Sequence, residues 1–146
     1  MKKQILNIVV TLSIVTTLTL SALANLGSNI RVTIPFAFYV NGVTMPAGSY
    51  DINSLSTRGV MSIRNRERTK AASFRIQQEM SNPKIEKSNL LFHRYGQQYF
   101  LAEIQDGTNG TAQELVKTKA ERAAAKGTTD HLAQNLQPEI VTVSVQ

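Results

Sequence analysis

Cysteine is missing from all 146 residues. That absence excludes disulfides, thiolate metal sites, cysteine nucleophiles and a lipid-modified N-terminal cysteine. Histidine is scarce, with two copies, His93 and His131. His93 stands between Phe92 and Arg94 in a strand-like run and reads first as a structural hydrogen-bonding group, ahead of a catalytic or metal role. His131 adjoins Asp130, but sequence neighbours do not share a face and no third ligand is in reach. The chain has no G-x-S-x-G, no H-E-x-x-H and no Walker-type glycine loop. Neither a cofactor nor a metal is expected. Internal repeats and low-complexity segments are lacking too.

Long apolar runs are absent after the first 24 residues. Before that point there is one. Lys2 and Lys3 precede an uncharged stretch, Ile5 to Leu20, and Ser21-Ala22-Leu23-Ala24 closes it with small residues. This is the order of a cleavable secretory signal over residues 1–24. The alternative is an uncleaved anchor, since a span needs about 17 apolar residues at the least. The threonines inside the run weaken that reading, and the Ala-x-Ala favours cleavage. The expected location is periplasmic or extracellular, with no membrane-spanning segment after cleavage.

Residues 25–146 then form one β-rich domain of about 122 residues, long enough to bury a core without staples. The formal charge of +6 falls to +4 without Lys2 and Lys3. A mildly basic exported chain meets acidic polymers or lipid head groups before nucleic acid, so no nucleic-acid partner is expected. Ordinary solubility charge is the plainer explanation.

The patterning is mostly of period two. Ile30, Val32, Ile34, Phe36, Phe38 and Val40 alternate with polar or small residues, which predicts a strand with one buried face. Pro35 marks a sheet edge or bulge within it. Asn41-Gly42 is a turn signal, and Met45-Pro46-Ala47-Gly48 reads as a type I turn returning the chain as a hairpin through Tyr50–Ser54. Val60–Arg64 and Lys70–Gln77 read as a pair joined by the polar tip 65–69. Asn89–Tyr95 and Gln98–Gln105 form a hairpin around Gly96-Gln97, with apolar residues on both faces. Thr111-Ala112-Gln113-Glu114 resembles a capping box opening a helix over about 112–126, stopped by Gly127. Thr128–Pro138 reads as irregular. The last strand, about 139–146, alternates valines and needs a partner. The spacing predicts a mostly β fold: a small antiparallel β-sandwich or barrel of about seven strands, with one helix near the C-terminal end.

Candidate chemistry is thin. Asp51, Glu67, Glu79, Glu86, Glu103 and Asp106 are scattered over strand ends and loops. A glycosidase would need two such groups facing each other across about 5–10 Å. Arg64, Arg66, Arg68 and Lys70 alternate, with Arg58 and Arg75 nearby, and an extended chain would line them up to hold a polyanion. Glu67 interrupts the stripe, and charged hairpin tips also serve to block edge pairing. Asn109-Gly110-Thr111 matches a glycosylation sequon, a match that chance supplies often.

Pro35-Phe36-Ala37-Phe38, Val40-Asn41-Gly42, Pro46-Ala47-Gly48-x-Tyr50, Phe92-His93-Arg94-Tyr95-Gly96 and Tyr99-Phe100-Leu101 occur in that order. Glu114-Leu115 before a Lys/Arg-rich stretch completes the series. The pattern, over roughly residues 30 to 122, resembles a family of small, uncharacterised, signal-peptide-bearing proteins of environmental Gram-negative bacteria. The resemblance implies export and a β-rich fold, and brings no catalytic residue. The first expectation for function is a non-enzymatic exported envelope or secreted module that binds an envelope polymer or protein partner. The alternatives are a small-barrel carrier of an apolar ligand and a carboxylate-based hydrolase acting on extracellular polymer.

Overall fold

A computed structural model of the chain describes residues 29–55, 57–129 and 137–145. The predicted signal segment 1–24, His131 and the final residue of the last predicted strand lie outside the described residues. The described residues form ten strands and one helix. They run β1 (Asn29–Ile34), β2 (Phe38–Val40), β3 (Val43–Met45), β4 (Gly48–Ser54), β5 (Val60–Asn65), β6 (Ala71–Ser81), β7 (Asn89–Tyr95), β8 (Gln98–Asp106), β9 (Thr111–Leu115), α1 (Lys119–Thr129) and β10 (Glu139–Ser144).

The architecture is mostly β and sandwich-like, with the helix near the C-terminal end. The first sheet is β1-β4-β5-β6, antiparallel throughout. The second is built on β8. Strand β7 pairs with β8 from Tyr95↔Gln98 to Asn89↔Gln105, and β10 adds to the far side of β7. The other edge of β8 is shared: β9 pairs with Glu103–Asp106, while β2 meets it at Phe100. Strand β6 belongs to both sheets. Its residues 71–75 pair with β5, its later residues pair with β9, and a register shift lies between Ile76 and Gln78.

The first predicted strand is two. Burial alternates through Ile30, Val32 and Ile34 and resumes at Phe38 and Val40. Pro35, with no N–H to give a ladder, sits where the chain leaves β4 and crosses to the other sheet. Asn41 and Gly42, at φ of 47° and 79°, make the two-residue turn between β2 and β3. Met45–Gly48 does not close a hairpin as expected. It carries the chain back to the first sheet, where β4 pairs with β1.

The inner faces meet over Ile34, Phe38, Met45, Ile52, Ile63, Leu90 and Phe92, all fully buried. The Phe38 ring stands edge-on to Tyr50 at 5.2 Å and to Phe92 at 5.5 Å. Such offset and perpendicular pairs are the favoured aromatic contacts. The phenol of Tyr50 donates to the carbonyl of Pro46.

The helix expected over about 112–126 begins instead at Lys119 and continues through Gly127 to Thr129. Thr111–Leu115 is a strand, because β6 and β8 leave a slot in which both of its edges find hydrogen bonds. The cap lies seven residues later, at Thr118 rather than Thr111. Thr118 Oγ1 accepts from the Glu121 amide at 3.2 Å, and Thr118 O accepts from the Arg122 amide. Residue Thr111 therefore opens a strand and has no capping role. As expected, the β7–β8 hairpin is covered on both faces. Tyr95 and Phe100 are buried on the side away from the core, and α1 packs against β7 there.

Burial, with the Glu67 carboxylate adding to it, pushes the Tyr50 phenol above its ordinary value of 10.0; burial and Glu121 do the same for Tyr95. A raised native pKa contributes stability that is intact below pH 10 and lost as pH rises through the native value. Titration followed at 295 nm is expected to show phenols ionising later in the folded protein than in guanidinium chloride. The loss of stability between pH 9 and pH 11 should shrink in Tyr95→Phe. An unchanged loss in that variant would contradict the assignment.

Candidate functional site

Charge is divided unequally between the sheets. Residues 25–75 hold seven Lys and Arg against two carboxylates, Asp51 and Glu67; residues 76–146 hold seven against eight. The charged residues of the first segment lie on the first sheet and its connections, since β2 and β3 carry none. A running count of charge along the sequence contains this signal, and the alternation pattern alone conceals it.

The solvent-facing side of the first sheet is polar. Its cross-strand rows follow from the register: Asn29, Asn53, Ser62 and Ser73 in one, then Arg31, Asp51, Arg64 and Ala71 in the next. Arg31 Nε lies 3.3 Å from Asp51 Oδ1. At the neck of the β5–β6 hairpin the Arg66 amide donates to Ser49 O, extending the ladder by one bond. Arg31 and Arg66 flank a hollow of about 170 Å³, which Thr33 and Ser49 also line. The hydroxyls of those two residues lie 3.1 Å apart. Two guanidinium groups beside two hydroxyls suit a carboxylate, sulfate or phosphate carried on a hydroxyl-rich chain.

The expected line of Arg64, Arg66, Arg68 and Lys70 is not straight. The chain is extended only to Asn65. This buried side chain accepts from the Lys70 amide at 2.8 Å and donates to Thr69 Oγ1 at 2.7 Å. The Arg68 amide donates to Asn65 O, and Arg68 takes a left-handed φ of 59°. The four cations are all exposed and ring a hairpin tip. Arg64 faces outward on the sheet and Arg66 reaches the hollow. Arg31, which the sequence pattern did not single out, joins them because β1 lies beside β4. Arg58 lies in the β4–β5 connection, away from the hollow.

Other candidates resolve into structural roles. His93 is held on α1: its Nδ1–H donates to Glu121 Oε1 at 2.7 Å, and Glu121 is 3% exposed. Among the described residues no three His, Cys, Asp or Glu side chains are grouped to hold a metal. Glu79 accepts from Gln113, and Glu103 from Gln105. Asp106 accepts from the amides of Thr108 and Asn109, and from the Asn109 side chain. Glu86 is exposed on the β6–β7 loop. Two carboxylates do meet in register, Glu103 across from Glu114. The sequence reading missed Glu114 by placing it in a helix cap. Neither residue lines the hollow.

No family model matches the chain, and neither a curated protein nor a solved structure does. Fold and site together define a sandwich-like β protein with one cationic, hydroxyl-bearing sheet face. No helix among the described residues is long and apolar enough to cross a membrane.

Proposed function

We propose that the protein is an exported, non-enzymatic binding module whose first-sheet face holds an anionic, hydroxyl-rich polymer of the envelope or its surroundings. The carrying observation is the hollow between Arg31 and Arg66 with the Thr33 and Ser49 hydroxyls in it. The segregation of charge adds to it: the excess of cations over carboxylates lies on this sheet and its connections and attracts an approaching polyanion. The Lys2-Lys3 start, the apolar run and Ser21-Ala22-Leu23-Ala24 support export. The close-packed apolar side chains between the sheets favour a ligand met at the surface over one carried inside.

The test is binding of a polyuronate, with neutral dextran as control, followed by calorimetry at two salt concentrations. Polyuronate binding should weaken steeply with salt, and dextran should bind far less. Charge-assisted hydrogen bonds contribute about 1.5–3 kcal/mol each, so Arg31→Gln combined with Arg66→Gln is expected to lower affinity at least tenfold. Both residues are exposed, and the double variant should keep its melting temperature. Equal binding of dextran, or a double variant that binds like wild type, would end this reading.

A further inference from the structure

Strands β2 and β9 share one edge of β8 but do not meet each other. Strand β2 touches β8 at Phe100, and β9 starts its pairing at Glu103. After Leu115 the chain turns away into α1, so the sheet has a gap. The gap opens as a groove of about 520 Å³ between the Asn41-Gly42 turn and the connection from β9 to α1. That size falls in the usual range of small-molecule sites.

The groove has an apolar lining and a charged margin. Phe74, Phe100, Leu101 and Leu115 line it and are themselves buried. Tyr39 stacks on Phe100 with ring centroids 5.0 Å apart. Val116, 47% exposed, belongs to the same lining and is a large apolar side chain left in water. Arg75, Lys117 and Lys119 are exposed members of the lining, and none forms an ion pair among the described residues. One carboxylate, Glu121, lines the groove, and it is buried and bonded to His93. The accessible charge is therefore of one sign.

We propose that this groove is a second binding site, for a free aliphatic carboxylate of medium chain length. The acyl chain lies on Leu115, Val116 and the Tyr39–Phe100 pair, and the carboxylate meets Arg75, Lys117 and Lys119. A neutral chain would leave the three cations unused, and a cationic one would be repelled. Apolar contact and charge complementarity thus select the same end-on orientation.

Decanoate below its micellar concentration is the probe, with decanol and decyltrimethylammonium as controls, followed by amide chemical shifts of the full mature chain. Decanoate should saturate, with shifts centred on Tyr39, Phe100 and Val116–Lys119. Decanol should bind at least tenfold more weakly, and the ammonium should not bind. Lys117→Gln with Lys119→Gln should lower decanoate affinity about tenfold, and Val116→Trp should block the groove. Decanol binding as tightly as decanoate, shifts centred elsewhere, an unaffected double variant, or no saturable binding at millimolar decanoate would each overturn the proposal. The polyuronate reading is separable. Arg31→Gln with Arg66→Gln should leave decanoate binding intact, and the lysine pair should leave polyuronate binding intact.

Discussion

Phe92→Ala is expected to lower the free energy of unfolding by about 4 kcal/mol, the scale of a phenylalanine removed from a closed core. Phe92 has no solvent exposure and sits on β7, which is paired on both edges by β8 and β10. Its ring meets Phe38 at 5.5 Å and Phe36 at 5.2 Å, both edge-on. The backbone around it is fixed by two ladders, so the site cannot collapse to refill the space. With total stabilities of about 5–15 kcal/mol for a domain of this size, the loss takes a large share, and Tm should fall by about 15 °C. Phe36 is the internal control. It is half-buried, stacks on Tyr99 at 4.1 Å and packs on the core margin, so Phe36→Ala should cost less than half as much. Chemical denaturation with unchanged slope measures both. Equal losses at the two positions would show that the aromatic cluster is not centred on Phe92.

The second large effect lies on the opposite face of the same strand. Glu121→Ala should cost about 3 kcal/mol, because it removes the acceptor for a largely buried donor. His93→Phe should cost a similar amount by stranding a carboxylate that is 3% exposed. The comparison that decides the matter is the double variant, His93→Phe with Glu121→Leu. Replacing both members by apolar groups of similar bulk removes the unpaired charge, so this protein should be more stable than either single variant. Glu121→Gln keeps an acceptor oxygen and should cost about 1 kcal/mol. If the double variant proved the least stable of the four, the pair would be more than a latch between α1 and β7. Hydrogen exchange in α1 gives a local readout, since loss of the latch should expose helix amides before the sheets open.

The elements that showed in the sequence are those whose partners impose a strict period. Ile30–Ile34 and Val60–Asn65 each bury alternate residues against one core, and that burial is what period two records; Asn89–Tyr95 showed instead as a run apolar on both faces, because it is covered on both. Thr111–Leu115 carries the signal of a cap and forms a strand, because a hydroxyl with a carboxylate three residues on fits either. Its real determinant is a slot between β6 and β8, where Leu115 pairs with Ile76, 39 positions away. A second Thr-x-x-Glu, Thr118 to Glu121, lay seven residues downstream and is the one the helix uses. The cationic face was partly visible. Arg64 and Arg66 stood out by spacing, but the turn built on Asn65 bends the line, and Arg31 enters only through pairing of β1 with β4. The groove left no local trace, since it arises from two strands that stop short of each other on a third.

The shared strand β6 has a thermodynamic consequence. One run of 11 residues supplies hydrogen bonds to β5 in one sheet and to β9 in the other. Opening either sheet down to β6 frees one half of a strand whose other half the second sheet still holds. The two layers are thereby joined through one continuous strand, and melting of either frays the backbone that enters the other. The β6 amides bonded to β5 and those bonded to β9 are expected to exchange together, which couples the face that carries one proposed site to the sheet that carries the other.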